Sequence, residues 1–392
     1  MLNGNILVAS PLDDVGGSDA GALRLYRPDG TLLSTLTGSA TGDLSGGTIT
    51  PLQGNSNAVF LASNWSNGTA AKAGAVTWID GTNGVSGTIS EGNSFVGTHA
   101  NDGMDAEVIA LSNGNYVAHL PSWQHGEVLN AGAVAFGNGT SGSAGTISEA
   151  NSLVGTKAND SDSAKVVALT NGNYVVASPL WDNGSTTNVG AVTWGNGQTG
   201  TAGAINGSNS LIGTKSGDNV GLQVTSLANG NYVIGSPNWD NGSTANVGAV
   251  TWADGNLSIH GALSAANSLV GAKSGDYVGS SVTALTNSNY VVVSQSWSSD
   301  TATDVGAVTL GHGDAGTIGV VTADNSLVGS STGDGEKLSA TALSNGNFVV
   351  MAPKWDGDAT NMDVGAVVLG NGVTGSVGQI STTNALVGTT AN

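Results

Sequence analysis

Three short strings recur in fixed order along the chain, and their spacing limits the folds open to it more than any other feature. NGN or a variant begins at Asn3, Asn55, Asn113, Asn171, Asn229, Asn287 and Asn345. GAV or GAL begins at Gly21, Gly74, Gly132, Gly190, Gly248, Gly306 and Gly365. A string of the SLVG type ends at Gly38, Gly97, Gly155, Gly213, Gly271, Gly329 and Gly388. Through the middle of the chain each string returns every 58 residues, and seven copies fill the 392 residues. Repetition at such a period marks a supersecondary unit that buries its apolar face only against neighbouring copies.

Within a copy the pattern predicts four short strands. In the fifth, LQVTSL (222–227) runs through Asn229-Gly230-Asn231 into YVIGS (232–236). Asn-Gly between β-rich runs signals a hairpin, because both residues tolerate positive φ. The loop PNWDNGSTAN (237–246) then leads to GAVTW (248–252), and a further turn-rich stretch leads to NSLVG (267–271). No segment carries a useful helical period. Four antiparallel strands per copy, repeated seven times, predict an all-β chain: a seven-bladed β-propeller forming one domain over residues 1–392. The rival is a β-solenoid, whose repeats usually run about 20–30 residues. MLNGN enters where an inner strand should end, so one blade is expected to lack most of its inner strand. That gap could be filled by a longer parent protein or by self-association through strand addition.

Composition agrees with strands and turns. The chain has 62 glycines without a three-residue period, and only 9% of residues are charged. Exposed positions are therefore Ser, Thr, Asn and Gly rather than the Glu, Lys and Arg of surface helices. The net charge of −19 repels polyanions, and no Lys/Arg cluster exists to neutralise phosphates, which argues against nucleic acid and anionic membranes as partners. No run approaches 18 apolar residues, so membrane insertion by a helix is not expected. Cysteine is absent, which removes disulfides, thiolate metal sites and cysteine nucleophiles. The opening MLNGNILVAS lacks the basic and apolar regions of a signal peptide, so any export signal is expected outside this chain.

The order G-D-x-V-G, V-T-x-L-x-N-G-N-Y-V, S-P and G-A-V-T-W, as in Gly217 to Trp252, resembles the FG-GAP repeat of integrin α-subunit propellers. The likeness runs along essentially the whole chain. The repeats also look like those of very large secreted bacterial proteins of the filamentous-haemagglutinin type. These resemblances imply an extracellular or cell-surface propeller, of bacterial origin, engaged in adhesion. One departure matters. The family's turn between first and second strands often carries carboxylates that bind calcium, whereas here it is NGN. A neutral turn cannot wrap a hard cation, so no metal and no cofactor are expected.

Several residues recur where a site could form. An aspartate follows the SLVG glycine by five residues at Asp43, Asp102, Asp160, Asp218, Asp276 and Asp334. It could offer a ring of ligand carboxylates, or accept backbone N–H groups in its own loop. A tryptophan follows the second strand at Trp65, Trp123, Trp181, Trp239, Trp297 and Trp355. Such rings could stack on sugars, or wedge between sheets as bulk. The integrin-like topology would put both loops on one face. The third copy departs most from consensus, with His99, His119, His125, Asp102, Asp105, Glu107 and Glu127 in GTHANDGMDAE (97–107) and VAHLPSWQHGE (117–127). Its spacing matches no metal motif, so a variable polar surface is expected, with a transition-metal site as the alternative. The only arginines, Arg24 and Arg27, are expected on an edge-strand surface.

No nucleophile elbow, zincin or P-loop motif is present, and abundant serine makes a Ser/His/acid assignment meaningless without geometry. The sequence therefore predicts a non-enzymatic adhesion or display propeller that binds a surface protein or glycan. A multivalent lectin using the six tryptophans is the alternative, and a structural subunit of a surface polymer is a further one.

Overall fold

In the computed structural model, residues 1–357 and 362–390 are described, and among them there is no helix. The chain packs as two compact units, Met1–Val176 with Trp194–Ile205 and Ala177–Thr193 with Asn206–Asn392. Among the described residues the strands form seven sheets.

The fifth repeat illustrates the plan. Gln223–Ser226, Tyr232–Ser236, Ala249–Ala253 and Leu269–Val270 form an antiparallel meander in sequence order. The four strands expected from the repeat are all present. The sheet then gains a fifth strand absent from that expectation. Gly319–Val320, from the following repeat, pairs in parallel with Leu269–Val270. Each repeat thus lends a two-residue strand to its predecessor, and the same exchange joins Gly203–Ala204 to Leu153–Val154 in the first unit. The first sheet has only three strands of its own, Ile6–Ser10, Ala22–Tyr26 and Leu32–Thr37, with Gly87–Thr88 borrowed.

In the five sheets between the first and the last, the second and third strands are buried on both faces, as in Tyr290–Ser294 and Ala307–Gly311. An unbroken apolar run such as YVVVS suits a sheet covered on each side. Tyr290 and Val292 pack with Val233, Val250 and Leu269 of the preceding sheet. Val291 and Val293 pack with Phe348 and Val350 of the next. Burying each such side chain stabilises the fold by about 1.5–3 kcal/mol, and none of it is available to a lone repeat. Glycine at the end of the third strand makes room for the aromatic ring: a Cβ on Gly311 would stand 2.1 Å from the Tyr290 ring.

The NGN turn also differs in detail from expectation. Only the glycine takes positive φ, 90° at Gly230, and Leu227 N–H donates to Asn231 O across a three-residue loop. The two asparagines are then free to reach the next repeat. Asn229 and Asn231 Nδ2 both donate to Gly313 O at 2.8 and 2.9 Å. Asn231 Oδ1 accepts Gly255 N–H of its own repeat at 3.0 Å. Asn113 and Asn115 hold Gly197 O in the same manner in the first unit. The turn is a stacking clamp.

Candidate functional site

The recurrent aspartates and tryptophans lie in one packed frame. Thr98 and His99 N–H donate to Asp102 Oδ2 at 2.9 and 2.8 Å, while Gln124 N–H, next to Trp123, donates to Oδ1 at 3.0 Å. The pattern repeats at Asp218, which accepts from Thr214, Lys215 and Asp240. Asp43, Asp276 and Asp334 receive the N–H after their tryptophan in the same way, and Asp160 accepts from Thr156 and Lys157. The Asp and Trp loops are therefore neighbours, and all six carboxylates are buried. Burial raises the pKa of Asp102, Asp218 and Asp334, against the opposing pull of their backbone N–H bonds. Trp65, Trp123, Trp181, Trp239, Trp297 and Trp355 are only 3–6% exposed. Trp65, for example, packs among Leu44, Phe60 and Ala62. Rings so enclosed offer no face to a sugar and serve as bulk, the role set beside sugar stacking in the sequence analysis.

The polar residues of the third repeat do not form one cluster. His99 Nδ1 stands 3.6 Å from Asp102 Oδ2. His125 lies over Trp123 with ring centroids 5.5 Å apart, its Nδ1 3.1 Å from Gly155 O and its Nε2 3.5 Å from Glu149. Glu127 is exposed, and Asp105 lines a cavity. No three His, Asp or Glu side chains among the described residues are placed to hold a metal. Arg24 lies in the strand Ala22–Tyr26, which is paired on both sides and is not an edge. Its guanidinium binds Asp13 at 2.7 Å and lowers that carboxyl's pKa. Arg27 is exposed.

His119 behaves differently. It is 2% exposed in the middle of Tyr116–Leu120, where its side chain meets two groups. Nδ1 is 3.1 Å from Glu107 Oε1 on the adjacent strand Glu107–Ala110, in direct register. Nε2 is 3.3 Å from Ser161 Oγ, in the loop after the fourth strand. The His119 hydrogen bond lowers the Glu107 pKa, outweighing the desolvation that raises it. A carboxylate on Nδ1 and a hydroxyl on Nε2 favour the tautomer that donates from Nδ1 and accepts at Nε2. All three residues line a cavity of about 690 Å³, with Met104, Pro121 and Leu129 on its apolar wall.

The fifth repeat shows why the third has a cavity at all. There Val278 is fully buried and bridges Gly248, filling the seam. In the third repeat Asp162 takes that place and lines the cavity instead. Gly235 stands where His119 would be, and a Cβ on it would meet Gly279 O at 2.5 Å. Sequence reasoning did not single out Ser161. The signal was comparison among copies, which puts Gly103, Asn219, Tyr277 and Gly335 at that position. Leu61, Ala177, Gly235, Val293 and Met351 occupy the His119 position, and Ile49, Lys165, Gln223, Ser281 and Ser339 that of Glu107.

A family model for a repeat of unknown function, DUF5650, matches residues 52–106, 110–163, 168–222, 226–280, 284–336 and 342–392. The chain belongs to the DUF5650 repeat family. Six matched segments cover the copies from the second onward. The DUF5650 segments take in the recurrent strings from Asn55 onward, every tryptophan, and the His119 and Ser161 positions, while Glu107 falls between two segments. No curated protein matches the sequence.

Proposed function

We propose that the chain is an adhesion or display module of a bacterial cell surface or secreted protein, built as a seven-bladed β-propeller of the FG-GAP type. It binds a protein or glycan through the loops that follow the tryptophans. The observation that carries this reading is the division of labour within each repeat. Asp, Trp and Asn side chains spend their hydrogen bonds and bulk on the frame. The intervening loops are largely exposed, and 124–130 and 298–304 differ in sequence from each other and from the near-identical pair 182–188 and 240–246. Variable loops on a repeated rigid frame are where a scaffold carries specificity. Exchanging residues 122–131 for 238–247 and screening protein and glycan arrays tests it. Loss of a bound partner with unchanged melting supports the reading; identical binding profiles reject it. A ring of this length should also show a radius of gyration of roughly 21 Å in small-angle scattering.

The lectin reading loses its residues, because the tryptophans are enclosed. A structural polymer has one observation in its favour. Leu369 and Leu386 of the last sheet are 66% and 80% exposed, whereas Leu310 and Leu327, their counterparts one repeat earlier, are buried. Ile6 of the first sheet is 53% exposed where Ala58 is buried. Uncovered apolar faces mark interaction surfaces, and head-to-tail stacking of copies would cover both. Sedimentation that stays monomeric up to high concentration argues against this second reading.

A further inference from the structure

We propose that Ser161, His119 and Glu107 form an acyl-transfer site that hydrolyses small neutral carboxylic esters. The inference departs from the non-enzymatic expectation and stands independently of the adhesive reading. Three observations carry it. The first is geometry: Glu107 Oε1 to His119 Nδ1 at 3.1 Å and His119 Nε2 to Ser161 Oγ at 3.3 Å connect acid, base and hydroxyl in the order a serine nucleophile requires. The second is access, since all three line the same cavity of about 690 Å³, a volume in the range of small-molecule sites. The third is coincidence within the repeat. None of the other copies compared carries Glu at the first of these positions, His at the second or Ser at the third, and in this copy the three meet at one point. A buried histidine in a β-strand position that Leu61, Ala177 or Val293 fill elsewhere gives the packing nothing.

In the first step Ser161 Oγ attacks the ester carbonyl carbon while its proton passes to His119 Nε2. The C–O bond to the alcohol breaks, and His119 returns that proton to the departing alkoxide. Water then attacks the acyl-serine, giving its proton to His119, and the carboxylic acid leaves as Ser161 regains the proton. Glu107 acts as a positioning residue: it holds the Nδ1–H tautomer and offsets the imidazolium charge. The wall of Met104, Pro121 and Leu129 suits a short apolar acyl or alkyl group, while Asp105 and Asp162 at the lining disfavour anionic substrates.

The experiment uses the full chain, a fluorophosphonate probe and p-nitrophenyl butyrate. Expected results are one phosphonyl adduct, located on Ser161 by mass spectrometry, and ester turnover that the adduct abolishes. The variants borrow residues that other repeats already hold at these places, which protects folding: Ser161→Gly as at Gly103, His119→Ala as at Ala177, Glu107→Gln as at Gln223. Ser161→Gly should lose the adduct, and His119→Ala should slow labelling by about 10²–10⁴-fold. Glu107→Gln should lower kcat more than it changes KM. Circular dichroism and melting curves establish that each variant is folded. A folded wild-type chain that remains unlabelled at saturating probe overturns the proposal, as does labelling unchanged in folded His119→Ala.

Discussion

The third and fifth repeats share one frame and differ in what fills a single seam. In both, a buried aspartate gathers three backbone N–H groups beside a buried tryptophan. In the fifth, Gly235 lets the following loop approach and Val278 closes the seam. In the third, His119 and Ser161 stand at the corresponding positions and Asp162 replaces the valine, so a polar cavity remains. The difference teaches that a tandem repeat can carry a specialised site without altering its frame. The frame is supplied by residues that recur in six of the seven copies, and the cavity by a few that do not recur.

If the frame is truly shared, its disruption should cost the same in both repeats. Trp123→Ala and Trp239→Ala should each destabilise by about 3–5 kcal/mol, measured by denaturant unfolding; a large disparity would break the comparison. Asp102→Ala and Asp218→Ala each strand three N–H groups and should cost about 3 kcal/mol, taking about 1 kcal/mol as the lower bound for each orphaned donor. The seam itself should respond unequally. Gly235→Ala forces a Cβ to within 2.5 Å of Gly279 O and should cost about 1–3 kcal/mol, whereas His119→Ala should change stability by less than about 1 kcal/mol.

The smallest effect is on pH. Asp102, Asp218 and Asp334 have pKa values raised by burial. The fold thus favours their protonated forms, so their contribution to stability is full below the ordinary carboxylate range and is lost as pH rises through the raised values. Glu107 runs the other way. Its lowered pKa contributes stability above the ordinary value that is lost as pH falls through the lowered one. Asp218→Asn should therefore remove a part of the melting midpoint's pH dependence, the part that declines as pH rises above the ordinary carboxylate range. In calorimetry Glu107→Gln should remove a contribution of opposite sign, one that Asp13, Asp29 and Asp80 also make.

Much of the frame was legible in the sequence because it is written seven times. Strand positions such as Tyr232–Ser236 followed from apolar runs bounded by turn residues, whereas the shared neighbourhood of the Asp and Trp loops was expected only from the integrin-like resemblance. The borrowed strand Gly319–Val320 was not, since two residues carry no period. Nor was the asparagine clamp: Asn229 finds its acceptor at Gly313, in the next copy, and a backbone carbonyl leaves no mark on sequence. The tryptophans were ambiguous because a ring beside Asp and Gly suits either a sugar or a core, and only enclosure decides. Ser161 was hidden among many serines until His119 was seen to point at it.

The most direct test is the protonation of His119 in solution, read from its ring nitrogen shifts and couplings by NMR at neutral pH. The account predicts a hydrogen on Nδ1, shared with Glu107, and a bare Nε2 facing Ser161, with Glu107→Gln weakening that preference. A hydrogen found on Nε2, or a freely exchanging mixture of the two forms, would contradict it.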